Sequence, residues 1–193
     1  GSWGYEDGQF RAPHSFAMDS QGRLFIADRG NRRIQIFDQE GTHLDTWYQF
    51  SRNSGIYIDA NDVLYAIDSE SDDNYNPGWR KGLRVGSART GEVWYFTQEH
   101  VSARASGMGG VGSMGEGVTA DAEGNVIAGE VGPVQGLTKF VPQLTRADLT
   151  LGATSEDRKQ NWAFPFGAGL LVMGGLMLGA KMFGGNEADK TAA

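Results

Sequence analysis

The sequence predicts an all-β protein of about three propeller blades, followed by a single C-terminal helix long enough to cross a membrane. Three observations predict this. A strand–turn–strand unit occurs three times. Each unit is followed by further short strands. An uncharged apolar run begins at Trp162.

The repeat is clearest in its first unit, where Phe16-Ala17-Met18-Asp19 precedes Leu24-Phe25-Ile26-Ala27-Asp28. About 40 residues on, Ile56-Tyr57-Ile58-Asp59 precedes Leu64-Tyr65-Ala66-Ile67-Asp68. About 102 residues from the first unit, Val118-Thr119-Ala120-Asp121 precedes Val126-Ile127-Ala128-Gly129-Glu130. The turns between the strands are Asp19-Ser20-Gln21-Gly22, Asp59-Ala60-Asn61-Asp62 and Asp121-Ala122-Glu123-Gly124. An Asp at the start of such a turn bonds the backbone ahead of it, and Gly or Asn tolerates positive φ.

A third strand follows each pair, at Arg33-Ile34-Gln35-Ile36-Phe37, Leu83-Arg84-Val85-Gly86 and Leu137-Thr138-Lys139-Phe140-Val141. A fourth is expected at Leu44 to Phe50 and at Val93 to Phe96. Four short antiparallel strands per repeat make a propeller blade. Gly1-Ser2-Trp3-Gly4 has the pattern of an outer strand from a preceding blade. Three blades cannot close a ring, because their end faces expose apolar sheet. Three readings stay open: a piece of a larger propeller, pairing with another half, or packing of the end faces on partners. Ser69 to Lys81 reads as a long polar loop of the binding kind, and 98–115 as a Gly-rich connection.

Composition narrows the function. The chain has 193 residues, 29 of them Gly, and a formal net charge of −7. An acidic balance argues against general nucleic-acid binding, which needs a basic surface. The absence of Cys excludes disulfides, thiolate metal sites and Cys nucleophiles. No G-x-S-x-G, P-loop or H-E-x-x-H motif occurs.

Gly8-Gln9-Phe10, Pro13-His14-Ser15 and Ala27-Asp28-Arg29-Gly30-Asn31-Arg32-Arg33-Ile34-Gln35-Ile36-Phe37 together resemble an NHL repeat of a six-bladed propeller. More narrowly, they resemble the peptidyl-α-hydroxyglycine α-amidating lyase family and its bacterial relatives. Pro77-Gly78-Trp79, Gly82-Leu83-Arg84-Val85-Gly86-Ser87 and Glu130-Val131-Gly132-Pro133 are similar to the same relatives. The resemblance covers roughly residues 1–142 and matches the C-terminal half of the family's propeller. It implies a zinc held by His residues, with His14 as one ligand and Arg29 acting near the substrate. By repeat register His14 corresponds to Ser54 and to Glu116, and Glu116 stands where the family has a zinc His. Carboxylates also ligate zinc, so Glu116 is a second candidate ligand.

The residues have plainer readings as well. His14 can be a hydrogen-bonded His near the propeller axis. Arg29 can pair with a carboxylate such as Asp28 or Asp68. Asp28, Asp68 and Glu130 share one register and are expected to cap strand ends. His43 and His100 read as surface residues.

The tail divides into a polar linker at 143–161, an expected transmembrane helix at 162–183 and a polar tail at 184–193. No charged residue occurs from Trp162 to Ala180, and as a helix this stretch spans roughly 28 Å. Pro165 suits a first turn, and Trp162 and Lys181 suit the two interfaces. Gly175 and Gly179 are a candidate helix-packing face. A buried helix or an interfacial segment is the alternative.

The expected function is a membrane-anchored accessory or scaffold subunit. Its propeller portion, on the extracytoplasmic (periplasmic) side, would bind other membrane-protein subunits in a larger complex. The incomplete site and the open blade faces motivate this non-enzymatic reading, which names no cofactor. The alternative is a zinc-dependent amidating lyase completed by further blades. A peptide ligand is compatible with either; nucleic acid is not an expected partner.

Overall fold

The computed structural model describes residues 1–98, 115–130, 136–142, 162–166 and 169–172, the last two ranges by their backbone. Two short strands open the chain, β1 (Ser2–Trp3) and β2 (Gln9–Phe10), and they pair in parallel. Blade 1 is an antiparallel sheet of β3 (Pro13–Met18), β4 (Leu24–Asp28), β5 (Arg33–Phe37) and β6 (His43–Trp47). Blade 2 repeats it with β7 (Gly55–Ile58), β8 (Val63–Asp68), β9 (Gly82–Ser87) and β10 (Val93–Gln98). Blade 3 holds β11 (Gly117–Ala120), β12 (Val126–Glu130) and β13 (Gly136–Pro142). It is extended by β14 (Trp162–Phe166) and β15 (Gly169–Val172).

The expected strand–turn–strand units are all present. In each turn the first Asp does the capping. Asp19 Oδ1 accepts from the backbone N–H groups of Gln21 and Arg23 at 3.0 and 2.9 Å. Asp59 does the same for Asn61 and Val63, and Asp121 for Asn125. These bonds satisfy turn donors that no ladder reaches.

Two apolar seams hold the blades together, and both use strand alternation. In β8 every residue is buried. Leu64 and Ala66 face blade 1, where they meet Phe25, Ala27, Ile34, Ile36 and Trp47. Val63, Tyr65 and Ile67 face blade 3, where they meet Val126, Ala128 and Phe140. A strand apolar on both faces is what a middle blade requires.

A polar clasp joins blades 1 and 2 at one end of the first seam. Asp62, at the end of its turn, accepts from Ser20 N at 2.8 Å and Ser20 Oγ at 2.7 Å, and from Arg89 Nε at 2.8 Å. Burial pushes the Asp62 carboxyl up, but these bonds outweigh it and hold the group below its ordinary value of 3.8. A depressed carboxyl contributes stability above its unfolded pKa and loses it as pH falls through the folded value. Asp62→Asn is therefore expected to be less stable than wild type at neutral pH. The gap should close below pH 3.8. Urea melts at stepped pH check this; a pH-independent gap would show that the carboxylate charge contributes nothing.

The C-terminal expectation is corrected. Residues 162–166 and 169–172 are strands, not the start of a helix over 162–183. Val141 and Pro142 of β13 pair with Ala163 and Trp162, so β14 is the fourth strand of blade 3. The physical reason lies in Trp162, Phe164 and Phe166, which recur with the period of two that a strand has. Pro165, Gly167 and Gly169 are in addition weak in a helix interior. No helix among the described residues is long and apolar enough to cross a membrane. Gly175 and Gly179, the linker 143–161, the tail 184–193 and His100 lie outside the described residues.

Candidate functional site

Strand direction decides which side chains can meet. In blades 1 and 2 the even-numbered strands β4, β6 and β8 run toward the end from which β3, β5, β7 and β9 depart. The starts of β3, β7 and β11, with the residues just before them, therefore gather at one end with the loops after β4 and β8. His14, Arg29, Arg52, Glu70 and Glu116 all lie in these places.

They form one charge network across three blades. His14 Nδ1 lies 3.3 Å from Glu116 Oε2, joining blade 1 to blade 3. Arg29 Nη1 lies 3.7 Å from the same carboxylate oxygen and 3.0 Å from Glu70 Oε1. Arg52 Nη2 donates to Glu70 Oε2 at 2.6 Å, and Arg52 Nη1 donates to the Arg29 carbonyl at 3.0 Å. Ser69 Oγ donates to Glu116 Oε1 at 3.2 Å and lies 2.7 Å from Ser54 Oγ. Arg29 and Arg52 are only 15 % and 13 % exposed, so these pairs are stronger than surface pairs. Arg29 Nε has no hydrogen-bond partner among the described residues.

Thus His14, Arg29 and Glu116, singled out by motif and register, are brought together. Sequence reasoning missed Arg52, Glu70 and Ser69. Ser69 was findable, since it occupies in blade 2 the register of Arg29 in blade 1. Arg52 and Glu70 have no repeat counterpart that marks them.

Asp28 and Asp68 serve the loops instead, and Glu130 bonds across to the neighbouring strand. Asp28 Oδ1 accepts from Arg11 N at 2.7 Å, and its Oδ2 accepts from Asn31 Nδ2 and Arg33 Nε. Asp68 accepts from Ser71 N and Ser51 Oγ and so ties down the start of the Ser69–Lys81 loop. Glu130 accepts from Thr138 Oγ1. Farther along the same loop, Trp79 covers the Arg84 guanidinium at 5.1 Å, with Phe96 at 4.4 Å. Burial pulls the Arg84 pKa down to about 10, with Asp68 opposing the shift. His43, expected on the surface, is partly buried and shares a hydrogen bond with Thr46 Oγ1 at 2.8 Å.

The network's fit to zinc is poor. A catalytic zinc takes three protein ligands and an open position. Here His14 and Glu116 supply two donors, and the Arg29 guanidinium stands 3.7 Å from the carboxylate oxygen a cation would need. No group of three or more His, Asp or Glu among the described residues is arranged to hold a metal ion.

Close backbone packing supports the network. A Cβ on Gly55 would lie 2.7 Å from the Glu116 carbonyl oxygen and 3.1 Å from Ile67 Cγ2. Gly55→Ala is expected to push the Glu116 backbone away at a cost of about 1–3 kcal/mol. The His14 imidazole resonances should shift in the same variant. Unchanged His14 resonances would show that Gly55 does not set the position of Glu116.

Exposed aromatics flank the network. Tyr75 stacks on Arg52 at 5.6 Å and is 55 % exposed. Trp3 and Tyr5, 72 % and 59 % exposed, meet edge-to-face at 5.7 Å, with Arg11 lying over the Tyr5 ring at 4.9 Å. Tyr48, which follows β6 at the same end, is 56 % exposed.

These blades and turns define a propeller-type repeat protein, and the chain carries an NHL repeat, matched at residues 10–37. Among curated proteins, it is 52% identical over 40 residues to NHL repeat-containing protein 3 of Homo sapiens, covering 20% of this chain and 12% of that protein. It is 46% identical over 41 residues to Protein brain tumor of Drosophila melanogaster, covering 21% of this chain and 4% of that protein. The matches thus span a small part of either relative's length. Among solved structures, it is similar to the hydrazine synthase of Kuenenia stuttgartiensis with a TM-score of 0.41 and 16% identity, over 67% of this chain and 33% of that one.

Proposed function

We propose that the chain is a protein-binding scaffold module that engages its partner through the loop end of the blades. One observation carries this reading. The ionic groups at that end are already paired with one another, while Trp3, Tyr5, Tyr48 and Tyr75 stand exposed above and beside them. Aromatic residues with Arg beneath them are the composition of interface anchors. A paired network holds such a surface rigid.

The test compares wild type with a variant carrying Trp3→Ala, Tyr5→Ala, Tyr48→Ala and Tyr75→Ala. Native mass spectrometry of the particle purified from its source should find wild type with partner subunits and the variant without them. An unchanged partner set on a folded variant overturns the reading. The same experiment addresses the expected setting in a membrane complex on the extracytoplasmic side. Carbonate extraction that leaves the chain in the membrane fraction supports attachment; release into the supernatant removes it.

The convergence of His14, Arg29 and Glu116 favours a second reading, the amidating lyase. It requires metal donors beyond the described residues. Glyoxylate release from a peptidyl-α-hydroxyglycine, lost in His14→Ala and in Arg29→Ala, would support it. Absence of release with zinc supplied would remove it.

A further inference from the structure

Arg11 and Arg32 stand apart from the other described arginines. Each of the others lies within 3.7 Å of a carboxylate oxygen. The Arg11 and Arg32 guanidiniums have no ion pair and no hydrogen bond among the described residues.

Both belong to the loop end of blade 1. Arg11 lies just before β3, and Arg32 closes the short 3₁₀ turn Arg29–Asn31 that follows β4. These segments are fastened together. Gly30 N donates to the Arg11 carbonyl at 2.7 Å, and a Cβ on Gly30 would lie 2.3 Å from that oxygen. Asn31 Nδ2 donates to the Gly4 carbonyl at 2.9 Å, so the stretch carrying Trp3 and Tyr5 is tied to the same turn.

Each guanidinium is also held ready. Arg11 lies 4.9 Å over the Tyr5 ring and 5.9 Å over Trp3. Stacking covers the planar face of a guanidinium and leaves its in-plane N–H fork unspent. Arg32 is exposed, with φ 59° and ψ 41°. Gly or Asn holds that backbone with less strain, and strain of this kind gathers at ligand clamps. The carboxylates of these segments spend their charge elsewhere, Asp28 on Arg33 and Asp7 on Arg33 and Thr46. Glu6, exposed beside Tyr5, forms no ion pair with either arginine.

We infer that the partner reaches this end of the blades with an acidic segment, whose Asp or Glu carboxylates are gripped by Arg11 and Arg32. The inference rests on the loop-end binding proposed above and supplies the chemistry of the partner. An Arg fork meets a carboxylate with parallel charge-assisted hydrogen bonds, and Arg-lined surfaces are a recurring means of reading acidic motifs. Trp3 and Tyr5 then cover the apolar stems of the bound residues. A nucleic acid is the poorer fit, because a formal net charge of −7 repels an extended phosphate backbone.

The experiment is fluorescence anisotropy of a labelled Glu-rich peptide with the full 193-residue chain. A Gln-rich peptide of equal length and an oligouridylate serve as comparisons. The Glu-rich peptide should bind, and added salt should weaken it; the other two should not bind. Arg11→Gln and Arg32→Asn should each raise the Kd about 10-fold. Both should melt like wild type, since neither loses an ionic partner within the fold. Wild-type affinity in either variant overturns the inference, as does equal binding of the Gln-rich peptide. Tighter binding of the oligouridylate overturns it in favour of a nucleic acid. A Glu-rich peptide that does not bind overturns it too, and leaves the loop-end reading standing where the aromatic variant still loses its partner subunits. A partner set that survives the four aromatic substitutions removes the loop-end reading and this inference with it.

Discussion

Asp28→Ala is expected to lower stability by about 3–5 kcal/mol, the cost of leaving a buried charge without its partner. Asp28 is fully buried, and Arg33 beside it is 3 % exposed. The Arg33 Nε–H donates to Asp28 Oδ2 at 2.9 Å, and Gln35 Nε2 donates to the same oxygen at 3.1 Å. Removing the carboxylate strands Arg33 Nε, leaves Gln35 Nε2 and Asn31 Nδ2 with only the Gln9 and Gly4 carbonyls, and releases Arg11 N, which the other oxygen holds at 2.7 Å. Asp28→Asn keeps the shape and one acceptor, so it should lose less. Urea unfolding of both variants checks the order. Equal losses would mean that packing, and not the charge, is what Asp28 supplies.

Tyr65→Ala is expected to cost about 3–5 kcal/mol, as for other large-to-small changes in a core. Tyr65 is 2 % exposed, in the seam between blades 2 and 3, and stacks on Tyr57 with ring centroids 6.0 Å apart. Its hydroxyl donates to Asp59 Oδ2 at 3.1 Å, linking the ring to the turn before β8. Tyr65→Phe removes only that bond and should cost about 0.5–1.5 kcal/mol. Thermal melts of the two variants separate the ring from the hydroxyl. A Tyr65→Phe loss as large as that of Tyr65→Ala would place the stability in the turn.

The inner strands and their turns were legible because two signals coincide there. Phe25, Ala27 and their neighbours alternate with period two, and an Asp opens each turn. The fourth strand of blade 3 was not, because an uncharged run of helical length outweighed the alternation of Trp162, Phe164 and Phe166. Its separation in sequence from β13 also hid it, since pairing across a long insertion leaves no local mark. At the site, register alone placed His14 and Glu116 together, and motif placed Arg29. Arg52 and Glu70 escaped because they meet only after the chain turns between β6 and β7 and into the loop beyond Asp68, a tertiary event with no period.

The double-sided burial of β8 makes the three described units an array whose middle member leans on both others. In such an array cooperativity is local. Substitutions at Leu64 or Ala66 loosen the contact with the preceding unit, and those at Val63 or Ile67 loosen the contact with the following one.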